Sequence, residues 1–206
     1  DLTKYLLKLL SDSEERTKND QQCTYIFSEQ SQKDILTVRD MKEKMCYCAV
    51  DYESEGSDSR DNWKMGKEHY VLPDGTSVQL GKERIKCPEA MFKPSLVGWE
   101  HEGIHYTIVQ SVQKCDPDIT KELQANIVMS GGNSMFNHMN QRLSKELENL
   151  SAPTAKISVH APPERKHSVW IGGAILSSIS QFSKMWMTSQ QYKEYGSSSL
   201  VHAKCF

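Results

Sequence analysis

Apolar residues recur along the chain with a helical period in some stretches and in short β-favouring runs in others. In "LTKYLLKLL", Leu2, Tyr5, Leu6 and Leu9 fall at three- and four-residue intervals, which predicts an amphipathic helix at the start of the sequence. The spacing returns in "ILTVRDMKEKMCYCAVD". There Leu36, Val38, Met41, Met45, Cys48 and Ala49 form a stripe behind a candidate N-cap at Asp34, and Lys42 and Glu43 fall off it. It returns again as Met135, Met139, Leu143, Leu147 and Leu150, predicting a helix that starts near Ser134 and packs along one side. "DPDITKELQA" opens with Asp-Pro-Asp capping chemistry and predicts a further helix. "HYVLPDGTSVQLG" sets an Asp74-Gly75 pair between β-favouring residues, the pattern of a hairpin, while "NIVMS" is short and apolar enough for a buried strand. "IHYTIVQSV" fits a helix or a strand, its β-branched content leaning to strand. "KISVHAPPERKHSVWIGGAILSSISQF" reads as strand, Pro-Pro break, irregular turn and an apolar segment entering a helix. The hydrophilic stretches "SDSEERTKNDQQCTYIFSEQSQKD" and "DYESEGSDSRDNWKMGKEH" read as surface loops. The order of elements predicts an α/β architecture with mixed strands.

At 206 residues the chain is long enough to bury a core. Its 25 basic and 27 acidic side chains contain no block of like charge, so no nucleic-acid or membrane-surface partner is expected. No run approaches the roughly 18 apolar residues of a bilayer span, and the start lacks a basic n-region and a cleavage site, which predicts a cytosolic location. Six scattered cysteines include one close pair, Cys46 and Cys48. In a helix that spacing throws the thiols about 200° apart, so they read as reduced, small apolar side chains rather than metal ligands. The sequence opens on its first helix without an initiator Met, as expected of a segment from a longer protein.

One motif invites chemistry. "IVMSGGNSMF" runs from the candidate strand through Gly131 and Gly132 into the candidate helix, bringing backbone N–H groups forward with no Cβ atoms in the way. Such a turn suits an anion or the flat face of a ring, and equally a tight turn with no ligand. It matches neither of the common glycine-rich phosphate fingerprints, and no metalloprotease or nucleophile-elbow motif occurs.

Six segments carry a more specific signal: "DLTKYLLKLL", "VRDMKEKMCYCAVD", "YVLPDGTSVQLGKERIKCPEAMFKPSLVGWEHEGIH", "DITKELQANIVMSGGNSMF", "APPERKHSVWIGGAILSSISQFSKMWMTSQQY" and "VHAKCF". In order and spacing they resemble the C-terminal half of actin, apart from the stretches around 11–33 and 53–66. The resemblance implies the C-terminal lobe of the ATPase fold that actin shares with the heat-shock chaperones, with the N-terminal half outside these residues. Residues 1–99 are then a mostly helical outer subdomain with a hairpin, 100–167 a ribonuclease H-like inner α/β subdomain, and 168–206 a crossover segment. It also implies ATP as cofactor, with Mg2+ or Ca2+ held mainly by the missing half. Gly131 and Gly132 would lie against the adenosine and α-phosphate, Asn133, Met135 and Phe136 would line the pocket, and Lys42, Glu43 and Lys166 would close over the nucleoside. None of the family's catalytic or metal-binding positions has a counterpart here.

The chain departs from the family where actin usually has two threonines, a tyrosine and a Pro-Gly pair. Here stand Asn133, Ser134, Phe136, Asn137 and His138, while His167 replaces a tyrosine and Ala203 a basic residue. The resemblance implies a divergent, cytoskeletal actin that forms filaments with other actin-like subunits and meets actin-binding proteins. In that reading Leu96, Val97, Trp99 and Ile104 form an apolar knob at the filament's inter-strand contact. The alternative is an actin-related scaffold that binds ATP within a larger complex without forming homopolymers.

Overall fold

The computed structural model describes residues 1–17, 27–56 and 68–204. The middle of the first hydrophilic stretch, much of the second, and Cys205 and Phe206 lie outside them.

Helix α1 (Leu2–Thr17) turns Tyr5, Leu6, Leu7 and Leu10 inward. It outlasts the apolar run that predicts it, because "SDSEERT" extends a helix already nucleated instead of opening the loop. Helix α2 (Gln32–Met45) is capped by Ser31 rather than Asp34. The Ser31 hydroxyl accepts from the Asp34 N–H at 3.3 Å, and the Asp34 carboxylate, one turn inside, accepts from the Ser28 N–H at 3.0 Å. Val38 and Met41 are wholly buried but Leu36 is 56% exposed, so the buried stripe is narrower than the periodicity predicts. Cys46 to Ala49 are buried beyond the helix end, not on it. There the Tyr47 N–H donates to the Arg84 carbonyl and the Cys48 N–H to that of Asn137.

A single turn, α3 (Tyr52–Gly56), precedes the expected hairpin. Strands β1 (Glu68–Val71) and β2 (Ser77–Leu80) pair antiparallel, Glu68 opposite Leu80, around a turn in which Gly75 takes φ +86°. Helix α4 (Glu83–Glu89) and a 3-10 turn (Pro94–Val97) lead to α5 (Ile104–Gln113). The segment that leans to strand on composition is therefore a helix. Ile104, Ile108 and Val109 meet the core at helical spacing, and burying that stripe outweighs β-branched propensity.

Helix α6 (Pro117–Ala125) has its cap where the sequence predicts it, the Asp116 side chain accepting from the Asp118 N–H at 3.0 Å. Strands β3 (Ile127–Val128) and β4 (Val159–His160) pair parallel. Between them the helix expected from Ser134 is split. A 3-10 turn spans Gly132–Met135, the chain straightens, and α7 (Met139–Leu150) begins four residues beyond Met135, which is 38% exposed and off the stripe. Helix α8 (Ser168–Ser178), a 3-10 turn (Ser180–Met185) and α9 (Ser189–Lys204), broken at Gly196, complete the order.

One apolar cluster joins α1, α2, the hairpin, α4, α5, the β3–β4 pair and α7, running from Leu6 through Val38, Met41 and Cys87 to Phe136, Leu143 and Leu147. Each large apolar side chain buried this way contributes roughly 1.5–3 kcal/mol. A buried ion pair crosses the cluster. Arg142 of α7 donates two hydrogen bonds to the Glu89 carboxylate of α4, at 2.9 and 3.0 Å, one to the Ala49 carbonyl at 2.8 Å, and one to Glu146 at 2.7 Å. These bonds hold α7 to α4 and to the buried chain that follows α2.

Candidate functional site

Two pieces of chain remote in sequence face one pocket of about 330 Å³. From α2 come Arg39, Lys42 and Glu43: Arg39 and Glu43, four apart, share one exposed face, and Lys42, four residues after Val38, stands at its border with the buried stripe. From the glycine turn come Gly132, Asn133 and Phe136. Thr3 of α1 and Lys166 complete the wall. The structure thus brings together Lys42, Glu43, Gly132, Asn133, Phe136 and Lys166. Gly131 and Met135 do not line this pocket.

The turn is built by its backbone. The Met129 N–H donates to the His160 carbonyl at 2.9 Å, continuing the β3–β4 pairing, and the Gly131 N–H donates to the Arg165 carbonyl at 2.8 Å. Gly131 takes φ +90°, so it is the residue whose conformation demands glycine. Gly132 differs: its backbone is not left-handed, and a Cβ built on it would meet nothing within 4 Å. Its lack of a side chain leaves pocket space open and does not serve the turn. The Ser134 hydroxyl donates to the Gly131 carbonyl at 2.7 Å, and Arg165 Nε donates to the Ser134 carbonyl at 3.0 Å. Arg165 also binds the Pro162 carbonyl at 3.1 Å, which ties the Pro-Pro turn to the glycine turn and carries Lys166 to the pocket.

Behind the pocket, Phe136 is 6% exposed and belongs to both pocket wall and core. Asn137, expected inside the helix, lies before it and accepts the Cys48 N–H at 3.0 Å. His138 then takes φ +62° at the N-cap of α7.

Glu43 sits between two cations. Arg39 Nε lies 3.1 Å from one carboxylate oxygen and Lys166 Nζ 3.6 Å from the other. The Arg39 hydrogen bond, with the nearby Lys166 charge, holds the Glu43 carboxyl below the usual range, so it is an ionised acceptor at neutral pH. Three cations, one carboxylate, an amide, an apolar ring and a glycine with open space before it suit an anionic ligand that also bears hydroxyls and a flat ring. Among the described residues no group of three or more His, Cys, Asp or Glu could hold a metal ion.

Sequence reasoning missed Arg39, Thr3 and Arg165. Arg39 was open to detection, being four residues before Glu43 on a predicted helix. Thr3 and Arg165 reach the site or its turn only through tertiary packing, which no local signal reports. In comparison with protein families, the model described as Actin matches residues 3–206.

Proposed function

Because the chain belongs to the actin family, we propose that the pocket between α2 and the glycine turn binds the nucleoside end of ATP, and that the protein is an actin-like cytoskeletal subunit that polymerises into filaments. The observation that carries this reading is the open face of Gly132 beside Arg39, Lys42, Glu43 and Lys166. Gly132 admits a planar group against the backbone, Phe136 offers the ring apolar contact, Glu43 accepts from a ribose hydroxyl, and the cations attract phosphate. Gly131, by its φ of +90°, shapes the turn that carries Gly132 to the pocket. Bound ATP supplies the phosphoryl chemistry, and hydrolysis is assigned to no residue of this chain. The described residues offer no donor cluster for a divalent cation, so none is assigned here either. In the same reading residues 1–99, 100–167 and 168–206 are the outer subdomain, the inner subdomain and the crossover segment, and the protein works in the cytoplasm. Among the described residues no helix is long and apolar enough to cross a membrane.

Equilibrium dialysis against labelled ATP tests the site. Saturable binding is expected, weakened in Glu43→Ala by the loss of one hydrogen bond, about 0.5–1.5 kcal/mol and up to about 3 if charge-assisted. No binding, or binding indifferent to Glu43, overturns it. Pelleting with and without salt and magnesium separates a filament subunit, which sediments, from a scaffold, which does not.

A further inference from the structure

Among the side chains that line the cationic pocket, Arg39, Lys42, Glu43 and Lys166 carry charge, and Gly132 and Phe136 offer no polar atom. That leaves Thr3 and Asn133 as the polar, neutral members of the wall. A hydroxyl rotates to give or accept as its neighbour requires, so Thr3 carries little discrimination between bases. A carboxamide differs, because its carbonyl accepts and its NH2 donates side by side in one plane. The edge of adenine at its 6-amino group is the complement, an amino donor beside a ring-nitrogen acceptor.

Asn133 is placed to use that match. It directly follows Gly132, whose Cβ position is empty space, and the backbone on both sides of it is pinned. The Gly131 N–H donates to the Arg165 carbonyl at 2.8 Å, the Ser134 N–H to the Gly131 carbonyl at 3.2 Å, and Arg165 Nε to the Ser134 carbonyl at 3.0 Å. Seating a ligand therefore orders the Asn133 side chain alone and not its turn. The residue is exposed, and its carboxamide makes no hydrogen bond with another described residue. It also borders a neighbouring hollow beside Leu2 and Trp99. This puts it at the margin of the cationic pocket, where the edge of a flat ring lying on Gly132 comes, while Phe136 stands behind.

We propose that Asn133 is the residue that selects the base: its carbonyl accepts from the 6-amino group of adenine while its NH2 donates to the adjacent ring nitrogen. The proposal rests on the reading of this pocket as the nucleoside site. Gly132 and Phe136 receive any planar purine alike, so without Asn133 the pocket is indifferent to the group at C6.

The experiment is calorimetric titration of the full chain, Asn133→Ala and Asn133→Asp with ATP and with purine riboside 5′-triphosphate, which differs from ATP only in bearing hydrogen in place of the 6-amino group. The parent should bind ATP about fivefold more tightly than the analogue. In Asn133→Ala both should bind more weakly and alike, at the parent's urea midpoint, because the deleted side chain is exposed and holds no other group. Asn133→Asp, whose carboxylate still accepts from the amino group, should keep a preference for ATP. Equal affinities in the parent, an undiminished preference in Asn133→Ala or none in Asn133→Asp overturns the role of Asn133 while leaving the nucleotide pocket standing. Failure of ATP itself to bind the parent overturns the pocket and the role of Asn133 with it.

Discussion

His138 holds the one left-handed backbone among the described non-glycine residues, at φ +62° and ψ +5°. A side chain there costs about 1–2 kcal/mol, and glycine returns part of the gain through its freer unfolded chain. His138→Gly should therefore raise stability by about 0.5–1 kcal/mol, read as a higher urea midpoint. A lower midpoint would mean that the edge contact between His138 and Tyr47 outweighs the strain. A second histidine gives the protein a pH signature. His105 is 7% exposed, its Nδ1 is buried without a hydrogen-bond partner, and burial lowers its pKa from the ordinary 6.5, with Arg142 and Lys93 adding to the shift and Glu146 and Glu102 opposing it. As pH falls through 6.5 the unfolded chain takes up the proton first, so stability is full above that value and declines below it. Unfolding free energy should drop between pH 7.5 and 5.5 in the parent and much less in His105→Gln. The depressed carboxyls, Asp40 and Glu43 among them, act in a lower window, losing their contribution only below their ordinary values of 3.8 and 4.5. An equal slope in both proteins would remove His105 from the account. Neither histidine's state was legible in the sequence, because φ at His138 and the burial of His105 are set by how α5 and α7 pack.

At the scale of elements, α7 is held to α4 by the Arg142–Glu89 pair, with side chains 5% and 2% exposed. Arg142→Met leaves a carboxylate stranded in the core and should cost about 3–5 kcal/mol, whereas the double replacement with Glu89→Leu should recover much of it. Lys145→Ala, which breaks an exposed, solvent-screened pair with Asp51, should leave the urea midpoint close to the parent's. Urea midpoints of the four proteins check both statements, and comparable losses for Arg142 and Lys145 would contradict them. The elements most legible in the sequence were those with local chemistry. The Asp116 cap, the Asp74-Gly75 hairpin and the leucine spacing of α1 each carry their own signal. α5 was ambiguous because its β-branched residues and its helical stripe point opposite ways, and only contact with the core decides. The start of α7 was placed too early because Met135 continues the spacing of Met139 and Leu143, although the glycine turn and the extended Phe136 interrupt the helix between them.

Across the whole molecule the apolar surface is uneven. Trp170 and Trp186 are 75% and 59% exposed, and Val169 and Ile175 of α8 and Tyr195 of α9 are exposed as well. Large apolar side chains left in solvent in this number predict self-association or binding of an apolar dye. Trp170→Ser with Trp186→Ser should reduce both, and a monodisperse parent that binds no dye would contradict it. Membership of the actin family was legible from six quoted segments, and the family pattern, not residue spacing, linked Lys166 to Lys42 and Glu43. Spacing alone could place the two α2 residues on a solvent face but could not join them to a turn more than a hundred positions away. The pocket they share carries the central claim, and Gly132 tests it most directly, since its conformation is open to other residues and its missing Cβ faces empty space. Calorimetric titration with ATP should show affinity reduced at least about tenfold in Gly132→Val, at an unchanged unfolding midpoint, and within about twofold of the parent in Asn137→Ala. Equal ATP affinity in folded Gly132→Val and in the parent would show that the glycine face receives no ligand.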